Sequence, residues 1–188
     1  MANFNFEKTE IEGVVIVSPK VFGDERGYFM ETYNEDEFKA AGLNYNFVQD
    51  NQSSSRKGVL RGLHFQTEYP QAKLVRVISG EVFDVAVDLR EGSETYGKWV
   101  GVLLSSENKK QLMIPRGFAH GFLVVSETAE FVYKCDDFYH PEGEGGILYN
   151  DPDVGIEWPE VGEIILSEKD KKHPTLKESG IKFGGKNE

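Results

Sequence analysis

Two side chains with chemistry to offer sit three residues apart in an otherwise apolar run. In Lys57-Gly-Val-Leu-Arg-Gly-Leu-His-Phe-Gln66, the apolar positions are Val59, Leu60, Leu63 and Phe65, and between them stand Arg61 and His64. A cation and a titratable imidazole are costly to bury without partners. One reading is a rim strand with two solvated tips, because polar residues normally lie outside. The other is a strand lining a pocket, with His64 as a base and Arg61 holding an anion. An undistorted strand points residues three apart to opposite faces. The second reading therefore needs Gly62 to allow a bulge.

A base needs partners, and the chain offers a set with two readings each. Lys73 opens the strand-like Ala72-Lys-Leu-Val-Arg-Val. A lysine there is ordinarily solvated, but pointed inward it would stabilise an oxyanion. Tyr133 shares a strand face with Phe131 and Cys135. That is ordinary packing, unless its hydroxyl reaches the same cavity as His64 and acts as a general acid. Ser167-Glu-Lys-Asp170 has capping-box spacing, which sequence alone favours. The alternative is that Asp170 accepts a hydrogen bond from His64, fixing its tautomer and raising its basicity. His120, in Pro115-Arg-Gly-Phe-Ala-His120, is either a histidine satisfied in the core or a catalytic one.

That last segment resembles the second motif of the cupins, which are jelly-roll barrels. Metal-binding cupins carry His-x-His in their first motif, whereas here His64 is followed by Phe65 and Gln66. A complete site takes roughly three or four nitrogen or oxygen ligands. His64, His120 and a carboxylate still leave a two-histidine, one-carboxylate site open, but no metal is expected.

The elements that must position these residues read mostly as strands. Apolar runs at 13–17 and 28–33 flank a turn at 21–27. Residues 34–41 read as a helix, with Asn34 as cap, Glu37 three residues on and Gly42 to end it. Strands follow at 47–52, 74–79, 99–104, 110–114, 119–125 and 130–136, with 53–58 and 141–146 as loops. At 83–89, Phe83, Val85, Val87 and Leu89 alternate with Asp84, Ala86 and Asp88, the pattern of a half-buried strand. Many short strands with 20 glycines and little helix point to an all-β sandwich or barrel. No linker or repeat divides 1–188, so a single domain is expected, with the tail after about 173 peripheral.

Composition narrows the partners. A net charge of −11 leaves no basic face for a nucleic-acid backbone. The single cysteine, Cys135, cannot form an intrachain disulfide, which fits a reducing cytoplasm. Residues 1–7 lack a basic segment followed by an apolar one, so no signal peptide is expected. No apolar run approaches the roughly 18 residues of a membrane span.

Taken together, several segments resemble the dTDP-4-dehydrorhamnose 3,5-epimerase family of deoxysugar-nucleotide epimerases. They include Asp24-Glu-Arg-Gly-Tyr-Phe-Met-Glu31, Gln49-Asp-Asn51, Leu60-Arg-Gly-Leu-His-Phe-Gln66, Lys73-Leu-Val-Arg76, Pro115-Arg-Gly-Phe-Ala-His-Gly-Phe122, Tyr133-Lys-Cys135 and Asn150-Asp-Pro152. The resemblance runs from about Ile11 to Asp170 and implies a metal-free, cofactor-free cupin homodimer. Its substrate would be a thymidine-diphosphate 4-keto-6-deoxyhexose, epimerised at carbons 3 and 5 in dTDP-L-rhamnose biosynthesis. The family's base maps to His64, its supporting aspartate to Asp170, its lysine to Lys73 and its acid to Tyr133. Nucleotide-binding positions map to Arg26, Glu31, Gln49, Asn51, Arg61, His120, Glu144 and Lys169, and Tyr139 matches the aromatic that stacks on the base. Three rivals remain: a mono-epimerase for another deoxysugar, a non-catalytic sugar-nucleotide-binding cupin and a metal-dependent cupin.

Overall fold

A computed structural model describes residues 3–184, so residues 1–2 of the N-terminal segment and 185–188 of the tail lie outside the described residues. Alternating side chains build two antiparallel sheets packed face to face. The first runs in the order β1 (Phe4–Lys8), β2 (Val15–Pro19), β10 (Gln111–Ile114), β7 (Lys73–Ser79), β12 (Thr128–Cys135) and β5 (Gln49–Arg56). The second runs β13 (Glu144–Gly146), β6 (Leu60–Gln66), β11 (Phe118–Val124), β8 (Glu81–Asp88) and β9 (Trp99–Ser105). A separate hairpin joins β3 (Phe22–Asp24) to β4 (Gly27–Phe29). This is the expected all-β, cupin-type jelly roll. Helix is confined to α1 (Glu35–Ala40), α2 (Leu176–Ser179) and two single 3-10 turns, Pro141–Gly143 and Asp170–Lys172. Among the described residues, no helix is long and apolar enough to cross a membrane.

Apolar residues from both sheets meet in the sandwich interior, among them Val75, Val77, Leu112, Phe131, Val82, Val102, Leu104 and Phe122. Residues directly opposite in an antiparallel pair share a face. Phe131 and Tyr133 therefore bring their partners Ser53 and Asn51 to the inner face, and Cys135 brings Gln49. The inner surface of β5 is thus polar, and one end of the interior is left to be filled with polar groups instead of a packed core.

Several elements depart from the sequence reading. The strand expected at 28–33 is only Gly27–Phe29, and β5 continues through residues 53–56, which read as loop. Residues 141–146 are a 3-10 turn followed by β13, paired to β6. Strand β1 has no counterpart in the sequence reading. Helix α1 forms as expected, with Asn34 Oδ1 accepting from the Glu37 amide at 3.2 Å. The Glu37 carboxylate, however, accepts from the Asn3 amide at 2.8 Å and does not close a capping box.

The largest difference concerns β8. Its alternation predicts one apolar face on the core and Asp84 and Asp88 toward water. Both aspartates are fully buried. Val82 and Ala86, on the aspartate face, pack between the sheets. The opposite face, with Val85, Val87 and Leu89, is covered by the chain after the last strand, through Ile147, Val154, Leu176 and Phe183. Of the described residues after 173, Leu176 and Phe183 belong to this covering layer. The alternation is present, but covering both faces reverses which one looks into the protein.

Asp88 shows what burial of a carboxylate requires here. It accepts from Arg90 Nη2 at 2.8 Å, Arg90 Nε at 3.0 Å, and the Ser93 and Thr95 hydroxyls at 2.6 Å each. Burial pushes its pKa up, but these donors outweigh it and hold it at about 2 instead of 3.8. A folded-state pKa below the unfolded one gives stability that is present above the unfolded value and lost as pH falls through the folded one. The shift corresponds to about 2 kcal/mol. Asp88→Asn should therefore cost about that much in urea unfolding at neutral pH. The gap from wild type should close as pH falls from about 4 to about 2, and a gap constant over that window would refute this account.

Candidate active site

The polar end of the sandwich encloses a cavity of about 580 Å³. From the first sheet it is lined by Asn51, Lys73 and Tyr133, from the second by Arg61, His64 and His120, and its rim carries Glu144, Lys169 and Asp170. A side lobe of about 110 Å³, bounded by Gln66, Tyr139 and Phe183, continues past His64 and Lys73.

Arg61 and His64 both reach this cavity because β6 carries one extra residue. His64 lies opposite His120, and Arg61 lies opposite Phe122. Three steps along β6 are thus matched by two along β11, so a bulge returns Arg61 to the face of His64. Gly62 adopts φ +130° there, and a Cβ on it would lie 2.5 Å from the Gly121 Cα. The two glycines let the backbones approach where any side chain would collide. Arg61 also donates from Nε to Ser55 Oγ at 3.1 Å.

His64 Nε2 lies 2.7 Å from Asp170 Oδ1. Asp170 is buried. Burial raises its pKa, but the hydrogen bond and charge of His64, with the Ser167 hydroxyl, outweigh it and hold the carboxyl below its ordinary value. An ionised carboxylate only accepts, so His64 carries its proton on Nε2 and leaves Nδ1 free to take one. Only half of a capping box forms at Ser167–Asp170. Ser167 Oγ accepts from the Asp170 amide at 3.1 Å, while the Asp170 side chain serves His64. The preference for the cap alone fails because the partner histidine is 106 positions away, beyond any local pattern.

Lys73 and Tyr133 come from neighbouring strands, with the ammonium 5.9 Å from the ring centroid. Burial lowers the lysine pKa, opposed by nearby Cys135, Asp84 and Glu144. Burial raises that of Tyr133, which therefore holds its proton at neutral pH. His120 is buried and pairs through Nε2 with Asp84 at 2.9 Å. Burial lowers its pKa against the pull of that carboxylate.

The sequence reading does not find Asp84 as a site residue, because its strand pattern assigns it to water. His173, also missed, stands 3.5 Å from Asp170 Oδ1 and edge-on to the His64 ring at 5.6 Å. Its spacing of three from Asp170 was the available signal. His64 and His120 each hold their own carboxylate, and they do not converge on a shared one. The group of ligating side chains close enough to share an ion, among the described residues, is His64, Asp170 and His173.

At the rim, Tyr139 donates its hydroxyl to Glu144 at 2.6 Å, and Glu144 pairs with Lys169 at 2.5 Å. These partners outweigh burial and hold Glu144 below the usual carboxylate range. Gln49 lies beside the cavity, donating to Asn51 and accepting from the Tyr139 amide at 3.1 Å each. Two expected residues lie elsewhere. Arg26 sits at the tip of the β3–β4 hairpin, paired with its own Asp24 at 2.6 Å. Glu31 accepts from Asn3 and Asn34 near the start of α1. The hairpin pairs only with itself in the sheet pattern, so nothing in this chain carries Arg26 to the cavity.

Comparison with known proteins places this geometry. The dTDP-4-dehydrorhamnose 3,5-epimerase family model matches residues 8–178. The protein of that name from Methanothermobacter thermautotrophicus is 57% identical over 183 residues, 96% of this chain and 99% of its own. The dTDP-6-deoxy-D-glucose-3,5-epimerase of Legionella pneumophila, solved in complex with dTDP-4-keto-L-rhamnose, superposes with a TM-score of 0.93 at 49% identity, covering 97% of this chain and 100% of that one. A 3′-monoepimerase of Streptomyces bikiniensis in complex with dTDP-quinovose is 33% identical with a TM-score of 0.86, covering 93% of this chain and 90% of that one.

The close approach at Gly62 gives a direct test of the bulge. Gly62→Ala forces both an unfavourable φ and a backbone collision. It should lower stability by at least about 2 kcal/mol in chemical denaturation. A stable Gly62→Ala protein with full activity would show that the bulge does not set the site.

Proposed function

Because the chain belongs to the dTDP-4-dehydrorhamnose 3,5-epimerase family, we infer that its cavity inverts carbons 3 and 5 of dTDP-4-dehydro-6-deoxy-D-glucose to give dTDP-4-dehydro-L-rhamnose. Both carbons flank the 4-keto group. Loss of a proton from either leaves an electron pair that moves onto the ketone oxygen as an enolate. We assign His64 Nδ1 as the base, oriented by Asp170 through Nε2. Lys73 stabilises the enolate oxygen. Tyr133 returns a proton to the opposite face of the same carbon and inverts it. One base and one acid serve both carbons if, between steps, the ring shifts, His64 releases its proton to solvent and Tyr133 regains one from it. No electron leaves the substrate, so the reaction calls for no redox cofactor.

The observation that carries this reading is the origin of the groups. His64 comes from β6 and Tyr133 from β12, in opposite sheets around one cavity. That arrangement suits a base and an acid on opposite faces of a flat enolate. Arg61 and Lys169 supply positive charge for the diphosphate, and arginine can contact it in bidentate fashion. Tyr139 is the platform for the base, with Gln49, Asn51, His120 and Glu144 completing the contacts. We take residues 1–188 as one domain working in the cytoplasm, the setting that a single unpaired cysteine supports.

Incubation in deuterated water separates the roles. His64→Asn should abolish exchange at both carbons. Tyr133→Phe should keep exchange while inversion falls by about a hundredfold or more. Loss of exchange in the tyrosine variant equal to that in the histidine variant would remove Tyr133 from the acid role. Wild-type label at one carbon only would indicate a mono-epimerase, and none would indicate a binding protein.

The assembly we propose is a homodimer in which the β3–β4 hairpin reaches the partner's cavity. Phe22, Tyr28 and Phe29 are exposed on that hairpin, and Arg26 extends from its tip. Arg26→Ala and His64→Asn proteins should each be nearly inactive. Mixed and allowed to exchange subunits, they should recover roughly a quarter of wild-type activity, since half the dimers then hold one intact site. No recovery, or a monomer by light scattering, would refute the shared site.

A further inference from the structure

Gln66 occupies the position at which metal-binding cupins carry a second histidine, and none of the roles assigned above uses it. Its side chain is buried, yet every polar atom is satisfied. Nε2 donates to the Tyr69 carbonyl at 2.7 Å and to the Phe138 carbonyl at 3.3 Å. Oε1 accepts from the His140 amide at 2.7 Å. Phe138 and His140 flank Tyr139. The two segments joined in this way lie outside the strands, and the Tyr69 and His140 rings stack at 4.4 Å. Among the described residues, these three backbone groups have no other hydrogen-bond partner.

The chemistry of the clamp is specific to an amide. Two donors and one acceptor are needed at one buried point. A neutral imidazole has one donor and one acceptor, and an ionised carboxylate has acceptors only. Tyr139 itself is half exposed, and its hydroxyl donates to Glu144 at the rim. Its backbone is fixed from behind by Gln66, and from the side by Gln49 at its amide.

We propose that Gln66 is a positioning residue for the nucleobase: by pinning the backbone on both sides of Tyr139, it sets where that ring presents its face to the base. This rests on the reading of Tyr139 as the stacking platform. A preorganised ring loses less freedom when the base arrives, so the contribution appears in binding. The reacting groups His64, Lys73 and Tyr133 stand on the strands and are not held by this clamp.

The test is a double-mutant cycle on the full-length protein, with thymidine diphosphate binding read by calorimetry and KM and kcat read with the sugar nucleotide. Gln66→Glu should raise Kd and KM about tenfold and leave kcat within about twofold. Gln66→Met, of similar length and apolar, is the parallel arm should the glutamate not fold. Tyr139→Ala should also weaken binding, and adding the Gln66 change to it should cost nothing more. Multiplicative losses in the double variant, or a fall in kcat at unchanged KM, would overturn the proposal. If Tyr139→Ala binds poorly while both Gln66 variants bind normally, the positioning role alone fails. If Tyr139→Ala binds normally, the stacking reading fails and the proposal with it.

Discussion

The hydrogen bond of 2.7 Å between His64 and Asp170 ties the second sheet to the tail, across 106 positions of the chain. Its histidine is fixed in the second sheet. Its aspartate is on a 3-10 turn in the tail, and the tail holds that place through its own docking. The Phe183 amide donates to the Leu89 carbonyl at 2.7 Å, the Leu176 amide to Asp151 at 2.6 Å, and the Leu148 amide to the Pro174 carbonyl at 2.8 Å. Leu176 and Phe183 are buried on the outer face of the second sheet. The covering layer of the fold and the orientation of His64 are therefore one piece of construction. Loosening the tail would free the carboxylate that selects the His64 tautomer.

The second constraint is that charged groups point into a sandwich interior. Such groups are tolerated when they are paired and hydrogen-bonded. The fold meets this with two histidine–aspartate pairs, His64–Asp170 and His120–Asp84, whose histidines stand on neighbouring strands. Lys73 lies among them, and burial lowers its pKa. The apolar cluster fills the rest of the interior, so packing and chemistry are separated along the strands instead of between the two sheets. That separation lets two sheets present His64 and Tyr133 across one cavity without either strand set giving up its core.

Rim and interior are built differently. His64, Lys73 and Tyr133 stand on strands whose ladders fix them. The outer end of the cavity is made of irregular segments held by side chains, with Gln66 and Gln49 tying the backbone around Tyr139. A strand-built chamber is thus joined to a mouth whose geometry hangs on a few amides. The β3–β4 hairpin, exposed and apolar, is the other part of the molecule that its own chain leaves without a partner in the sheets.

The sequence by itself determined the all-β class, the α1 cap at Asn34 and most strand positions, which follow from period-two alternation and turn residues. Its local patterns left Lys73, Tyr133 and Asp170 with two readings each, and only the resemblance to the epimerase family grouped them with His64. The sequence also raised the right difficulty at Arg61 and His64, three apart on one strand. What only the tertiary structure decided is how distant pieces meet. The bulge at Gly62 depends on the opposing backbone at Gly121. The partner of Asp170 is on a strand 106 positions earlier, and Asp84, which alternation assigns to water, faces His120 inside. Alternation tells which residues share a face but not what covers that face. The tail that reverses the reading of β8 is more than fifty residues further along the chain.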